Sequence, residues 1–317
     1  MTSGAPAEVL VGGLQAAAAF ALAPLFTGLM WKVKARTQKR VGAGLLQPYY
    51  DLLKLLRKEE VVSVSASWVF SAAPWVVCAS VLTAVLFVPV FLPYSPLSAA
   101  GDVLVVLGLF ALARFFTMLA GIDAASAFGG VGVGREMMLS SLADPGSFLT
   151  VFVVSLTLGG TNLTSIVEAS ARSEMVVVPS MIFGLIAFFL ILLAETGRIP
   201  FDNPSTHLEL AMGHEAMLLE YSGRGLALME WARSTKQLLM LALLVNIFLP
   251  LGMPDSSGAG ASALLGGAVA AFAKIGALAA GIAYLETRVA KWRVFRLIDL
   301  LALAVASGMV GLVFHYL

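Results

Sequence analysis

Residues 68–92 read WVFSAAPWVVCASVLTAVLFVPVFL. No charged side chain interrupts them, and about 20 apolar residues suffice for a helix to cross the hydrocarbon core of a bilayer. The apolar residues are continuous rather than alternating, so the run is a helix and not a barrel strand. Comparable runs recur near 8–31, 101–121, 176–195, 227–249, 260–284 and 298–316. One more apolar centre, 147–160, is short for a span. It extends backwards through Asp144-Pro145-Gly146 to about 135 as a broken helix, which is tolerable where neighbours re-satisfy the backbone. The chain has 317 residues, 59% hydrophobic and 12% charged, with mean hydropathy +0.92. A soluble domain carries about twice that charge fraction. The expected fold is therefore all-α and polytopic: one domain over 1–317, about eight transmembrane helices, and amphipathic helices in the cytoplasmic loops.

The net charge of +1 says little, but its distribution says much. The loop after the first helix holds eight Lys and Arg, from Lys32 to Lys58, Arg40 among them. Arg135 follows the third helix. Arg198, Arg224, Arg233 and Lys236 follow the fifth, and Arg288, Lys291, Arg293 and Arg296 follow the seventh. The opposite loops hold only Arg172. The positive-inside rule puts the charged loops, near 32–67, 122–146, 195–226 and 285–297, in the cytoplasm and both termini outside. No Lys or Arg precedes Lys32, so the first apolar stretch reads as a retained helix and not a signal peptide.

Redox chemistry by the chain itself is not expected. The single cysteine, Cys78, lies in an apolar run, and an iron–sulfur cluster usually takes four ligating residues. The histidines, His207, His214 and His315, lack metal-ligand spacing. The chain also has no internal repeat of the kind transporters show. Two intramembrane charges, Arg114 and Lys274, are expensive in lipid. Each serves function, or pairs with an acid and holds helices together, or snorkels outward.

Residues 44–58, GLLQPYYDLLKLLRK, place Leu45, Leu52, Leu55 and Leu56 at helical spacing, an amphipathic helix lying on the membrane surface. Residues 161–172 read as a short amphipathic helix on the outer side. The longest polar segment, 194–224, reads AETGRIPFDNPSTHLELAMGHEAMLLEYSGR. Asn203 suits an N-cap and Pro204 the first helical position. A helix continuing from there sets His207, His214 and Tyr221 on one face, and Glu209 and Glu220 on another. With Glu195, Asp202 and Glu215, these form a candidate chain of titratable sites, since burial raises carboxyl pKa values towards neutrality. The alternative is a solvated loop with ordinary salt bridges, but Pro200-Phe201-Asp202-Asn203-Pro204 and the apolar residues between the acids point to a packed segment. Arg135-Glu136, and Asp144 beside Pro145, extend a proton path into the bilayer or form local ion pairs. Gly129-Gly130-Val131-Gly132-Val133-Gly134 follows no strand, fails the phosphate-loop context, and reads as a flexible linker.

The run from Glu195 to Leu210, then His214-Glu215-Ala216-Met217 and Leu219-Glu220-Tyr221-Ser222-Gly223, closely resembles the signature of the complex I subunit 1 superfamily. The His207 and His214-Glu215-Ala216 pattern is similar to its membrane-bound group 4 [NiFe] hydrogenase branch, of the formate hydrogenlyase type. Arg40-Val41-Gly42 with Gly44-Leu45-Leu46-Gln47-Pro48 looks like the family's first cytoplasmic loop, Arg135-Glu136 its second, and Glu286 with Lys291, Arg293 and Arg296 its last. The resemblance implies a membrane anchor onto which a peripheral arm docks. Hydrogenase large and small subunits with iron–sulfur proteins form that arm, and antiporter-like membrane subunits are the neighbours. The lipid bilayer is a partner and nucleic acid is not. The clusters and the [NiFe] site are expected on those partners, with no cofactor bound by this chain. A quinone belongs only to the alternative, a quinone-reducing relative. By position the resemblance assigns Glu136, Glu195, Asp202, Glu209, Glu215 and Glu220 to proton or sodium coupling. Arg135, Arg198, His207, His214, Tyr221, Arg224 and Arg40 support them or bind the arm. The implied function is ion coupling in an oxidoreductase complex of the plasma (inner) membrane. A passive anchor and a stand-alone transporter are the remaining alternatives.

Overall fold

A computed structural model describes residues 5–93, 95–172, 178–199, 213–250, 261–289 and 294–317. Among the described residues ten α-helices follow one another: α1 Ala5–Thr37, α2 Gln47–Arg57, α3 Trp68–Phe87, α4 Val103–Asp123, α5 Ala127–Leu158, α6 Leu163–Arg172, α7 Pro179–Glu195, α8 Gly223–Phe248, α9 Ala261–Arg288 and α10 Val294–Tyr316. Among the described residues no strand forms; Asp102 and Asn162 make one isolated bridge. The chain is an all-α, multi-pass membrane protein.

Among the described residues six helices (α1, α3, α4, α5, α9 and α10) are long and apolar enough to cross a membrane, and α7 is a shorter apolar helix. α8 is long, but Arg224, Glu230, Arg233 and Lys236 interrupt its first half. It can carry them because it is the inner helix. It packs against α1, α2, α3, α6, α7 and α9, and every residue from Gln237 to Phe248 is buried. Beside it, α5, α7 and α10 pack on one another, and α3 pairs with α4.

Polar contacts mark the two ends. At the basic end, Asp123 at the close of α4 accepts the backbone N–H groups of Ser67 and Phe70, which otherwise lack partners at the start of α3. At the opposite end, Thr161 donates to Asp102 and Asn162 to the Ser98 carbonyl. There Ser170 of α6 donates to the Ile247 carbonyl at the close of α8. Both predicted amphipathic helices form, as α2 and α6.

Three expectations change. First, Gly129 to Gly134 is not a linker but the start of α5, where Ser126 caps Gly129 at 3.0 Å. Its glycines permit close approach. A Cβ on Gly129 would stand 2.4 Å from the Gly121 carbonyl oxygen, and one on Gly132 2.9 Å from that of Gly213. Second, α5 runs unbroken through Pro145; a membrane helix tolerates the lost hydrogen bond when packed among others. Third, no helix carries His214 and Tyr221 on one face. Residues Glu215–Leu218 form a 3-10 turn, and α8 begins only at Gly223, whose φ of +50° is left-handed. A Cβ there would meet the Glu59 carbonyl oxygen at 2.6 Å, so glycine serves both the turn and the packing.

Candidate functional site

Arg114 lies about halfway along α4, roughly 14 Å from its basic end at 1.5 Å per residue. A guanidinium there needs partners, and two helices bring them. α7 ends at Glu195, whose Oε1 accepts from Arg114 Nη1 at 2.7 Å. α5 supplies Asp144, which accepts from Nη2. The second Glu195 oxygen accepts from Lys236 of α8 at 2.7 Å. Arg114 and the Glu195 side chain are each only 7% exposed, so this pairing is inside the bundle. Lys236 also stands 5.6 Å from the centre of the Phe110 ring, within cation–π reach.

The network continues towards the basic end. Arg233, one turn before Gln237 on α8, donates to Glu215 at 3.0 Å. His214, directly before the 3-10 turn, lines the same cavity as Arg114, Glu136, Glu195, Arg233, Lys236 and Gln237. Burial, with the cations Arg233, Lys236 and Arg114 nearby, holds the His214 imidazole well below its usual value, at about 3. It is a neutral ring, able to donate and accept, among groups of fixed charge. The cavity measures about 40 Å³, room for a few water molecules. Charged and neutral exchangeable groups around water-sized space can pass a proton over short steps.

Several expected residues therefore converge: Glu136, Glu195, Glu215, His214 and Arg114. Arg198 is buried just beyond α7. It donates to Gln237 at 2.5 Å and lies 3.6 Å from Glu286 of α9. Arg135 is half-buried at the start of α5, beside Glu136. The others stand apart. Glu220, Arg224 and Arg40 are exposed at the basic end. Tyr221 is buried against α3, stacked on Phe70 at 4.0 Å and donating to the Phe70 carbonyl, a packing role. Burial, with Glu60 and Asp123 near, pushes its phenol up. Lys274 reaches the Leu249 carbonyl at the far end of α8, a local pairing away from the network. Asp202, His207 and Glu209 lie outside the described residues.

In the sequence Lys236 counts only as one of the cytoplasmic charges that set topology, and Gln237 is not singled out. The signal that could have found Lys236 is its place as the last charge of α8, just before the run Leu238–Val245. Its partner, Glu195, is distant in sequence and gave no spacing to read. Within the candidate chain of titratable sites, Glu195 is ion-paired on both oxygens.

Residues 10–315 match the NADH dehydrogenase family. The chain belongs to that family. Within it, the chain is 38% identical to hydrogenase-4 component C of Escherichia coli over 75% of this chain and 74% of that one. It is 36% identical to formate hydrogenlyase subunit 4 of the same organism, over 80% and 81%. One subunit of the NADH-quinone oxidoreductase of Anaplasma phagocytophilum is 32% identical over 69% of each chain. These matches support the hydrogenase branch of the family. The fold is that of a chain in the membrane-bound sulfane sulfur reductase, an archaeal respiratory membrane complex. That chain is 20% identical, with a TM-score of 0.81 over 97% of this chain and 99% of that one.

Proposed function

We propose that this chain is the membrane anchor and ion-coupling subunit of a complex I-like membrane-bound hydrogenase. Its basic end lies in the cytoplasm, where a peripheral arm docks, and its termini lie outside the plasma (inner) membrane. The observation that carries the reading is the Asp144–Arg114–Glu195–Lys236 network at the depth of the helix centres, open to a water-sized cavity.

The chain's donor set does not fit an iron–sulfur or nickel–iron group. It has one thiol, Cys78, buried in α3, and among the described residues no three His, Cys, Asp or Glu side chains come together as ligands. Those groups belong to partner subunits, and no step here runs through them.

What this chain contributes is the movement of charge. Glu195 takes a proton only when Arg114 or Lys236 lets go of an oxygen. The Phe110 ring, 5.6 Å from the Lys236 ammonium, adds a contact for that cation beside Glu195. Water in the cavity, with neutral His214 beside it, carries the proton to Glu136 or Glu215. Purification in mild detergent, with every co-purifying chain identified, tests the membership. Hydrogenase subunits and hydrogen turnover are expected. A complex that reduces quinone and neither makes nor consumes hydrogen would replace this reading with that of the quinone-reducing relatives.

A further inference from the structure

Glu286 belongs to α9 and lies apart from the α4, α5 and α7 acids. Its side chain is 2% exposed. Lys34 Nζ, in the last turn of α1, stands 3.6 Å from Oε2, and Arg198 Nη1 stands 3.6 Å from Oε1. These separations are ion pairs but too long for hydrogen bonds. Among the described residues neither Glu286 Oε1 nor Arg198 Nε has a hydrogen-bond partner, although both atoms are buried. Buried charged atoms are costly without such bonds. A shift of roughly 0.7 Å would close either pair to ordinary bonding distance. A carboxylate that moves towards one cation leaves the other.

Both cations head the segments that face the basic end. Lys34 stands where α1 gives way to the loop before α2, and Arg198 where α7 gives way to the connection to α8. Arg198 is also bonded to Gln237, which lines the coupling cavity next to Lys236. One α9 carboxylate therefore ties two partner-facing segments to the cavity wall.

We propose that Glu286 is a positioning residue of the coupling site. It is an exchangeable counter-ion that sets where Arg198 and Gln237 stand and so conveys displacement of the basic loops to the cavity. This rests on the reading of that cavity as the ion-coupling site.

The test uses the complete complex in sealed vesicles, with ions moved per electron as the readout. Glu286→Gln should assemble and lower that ratio about fivefold or more, the usual lower range for a coupling interaction. Glu286→Asp, which keeps the charge, should restore part of it. Lys34→Met should lower the ratio in the same direction, and it decides the matter if Glu286→Gln fails to assemble. An undiminished ratio in Glu286→Gln, or in Lys34→Met where the first does not assemble, overturns the positioning role. Glu195→Gln is measured alongside. If it lowers the ratio and the Glu286 and Lys34 variants do not, only this inference fails. If none of them lowers it, the reading of the cavity fails.

Discussion

Arg114 forms a buried ion pair with Glu195, each side chain 7% exposed, and a second pair with Asp144, whose side chain is 42% exposed. Removing one member of a buried pair costs about 3–5 kcal/mol, mostly through the charge left behind. Arg114→Met should therefore lower the thermal stability of the purified complex or prevent its assembly, and Arg114→Lys should recover part of the loss. Equal melting temperatures for wild type and Arg114→Met would show the pairs to be incidental. His214 gives a pH dependence of known sign. Its folded value, about 3, lies below the unfolded value of about 6.5. Between those values the unfolded chain binds the extra proton, so stability falls as pH drops from 6.5 towards 3 and is flat in this respect above 7. His214→Gln should lessen the loss of melting temperature between pH 7 and pH 5. A curve identical to wild type would remove the ring from its charged surroundings.

Legibility at single positions followed cost. Arg114 stood out because a charge in an apolar run demands explanation, and Glu195 because it opens a dense polar segment. Lys236 counted only towards topology and Glu286 only as part of a loop motif, because sequence spacing carries no trace of an interhelical pair. Glu220, grouped by sequence with Glu215, stands apart at the exposed basic end because the 3-10 turn Glu215–Leu218 intervenes.

The helices were read well where apolar runs were long and poorly where glycine hid the period. Residues 129–134 present almost no side chains from which to read a helical face, and glycine is a weak helix former. On its packed face, at Gly129 and Gly132, α5 meets the end of α4 and the residues around the turn at Glu215–Leu218 with no room for side chains. Gly132→Val should thus cost about 1–3 kcal/mol through overpacking. Gly134→Ala, where a Cβ meets open space, should be neutral or gain up to about 1 kcal/mol from helix propensity. Melting temperatures of the two variants check this, and a Gly132→Val protein as stable as wild type would contradict the close packing. α8 carries a related lesson. Hydropathy undervalues it because its charges lower the average, yet those charges are tolerable only because the helix is enclosed.

Across the whole molecule, the eight helical runs and the basic end were visible from composition and charge placement. The arrangement that puts α8 in the middle was not, because which helix faces which is set by packing among similar apolar surfaces. The orientation has its own check. Single cysteines placed at residue 40 and at residue 100 in intact cells should react oppositely with an impermeant thiol reagent, the second labelled and the first protected. Labelling at residue 40 alone would invert the topology. At the centre of the proposed function, the Arg114–Glu195–Lys236 exchange couples electron transfer to ion movement. Its most direct test is the number of ions moved per electron by the assembled complex carrying Glu195→Gln. The expected result is an assembled complex whose electron transfer moves almost no ions; a wild-type ratio in that variant would contradict the coupling role.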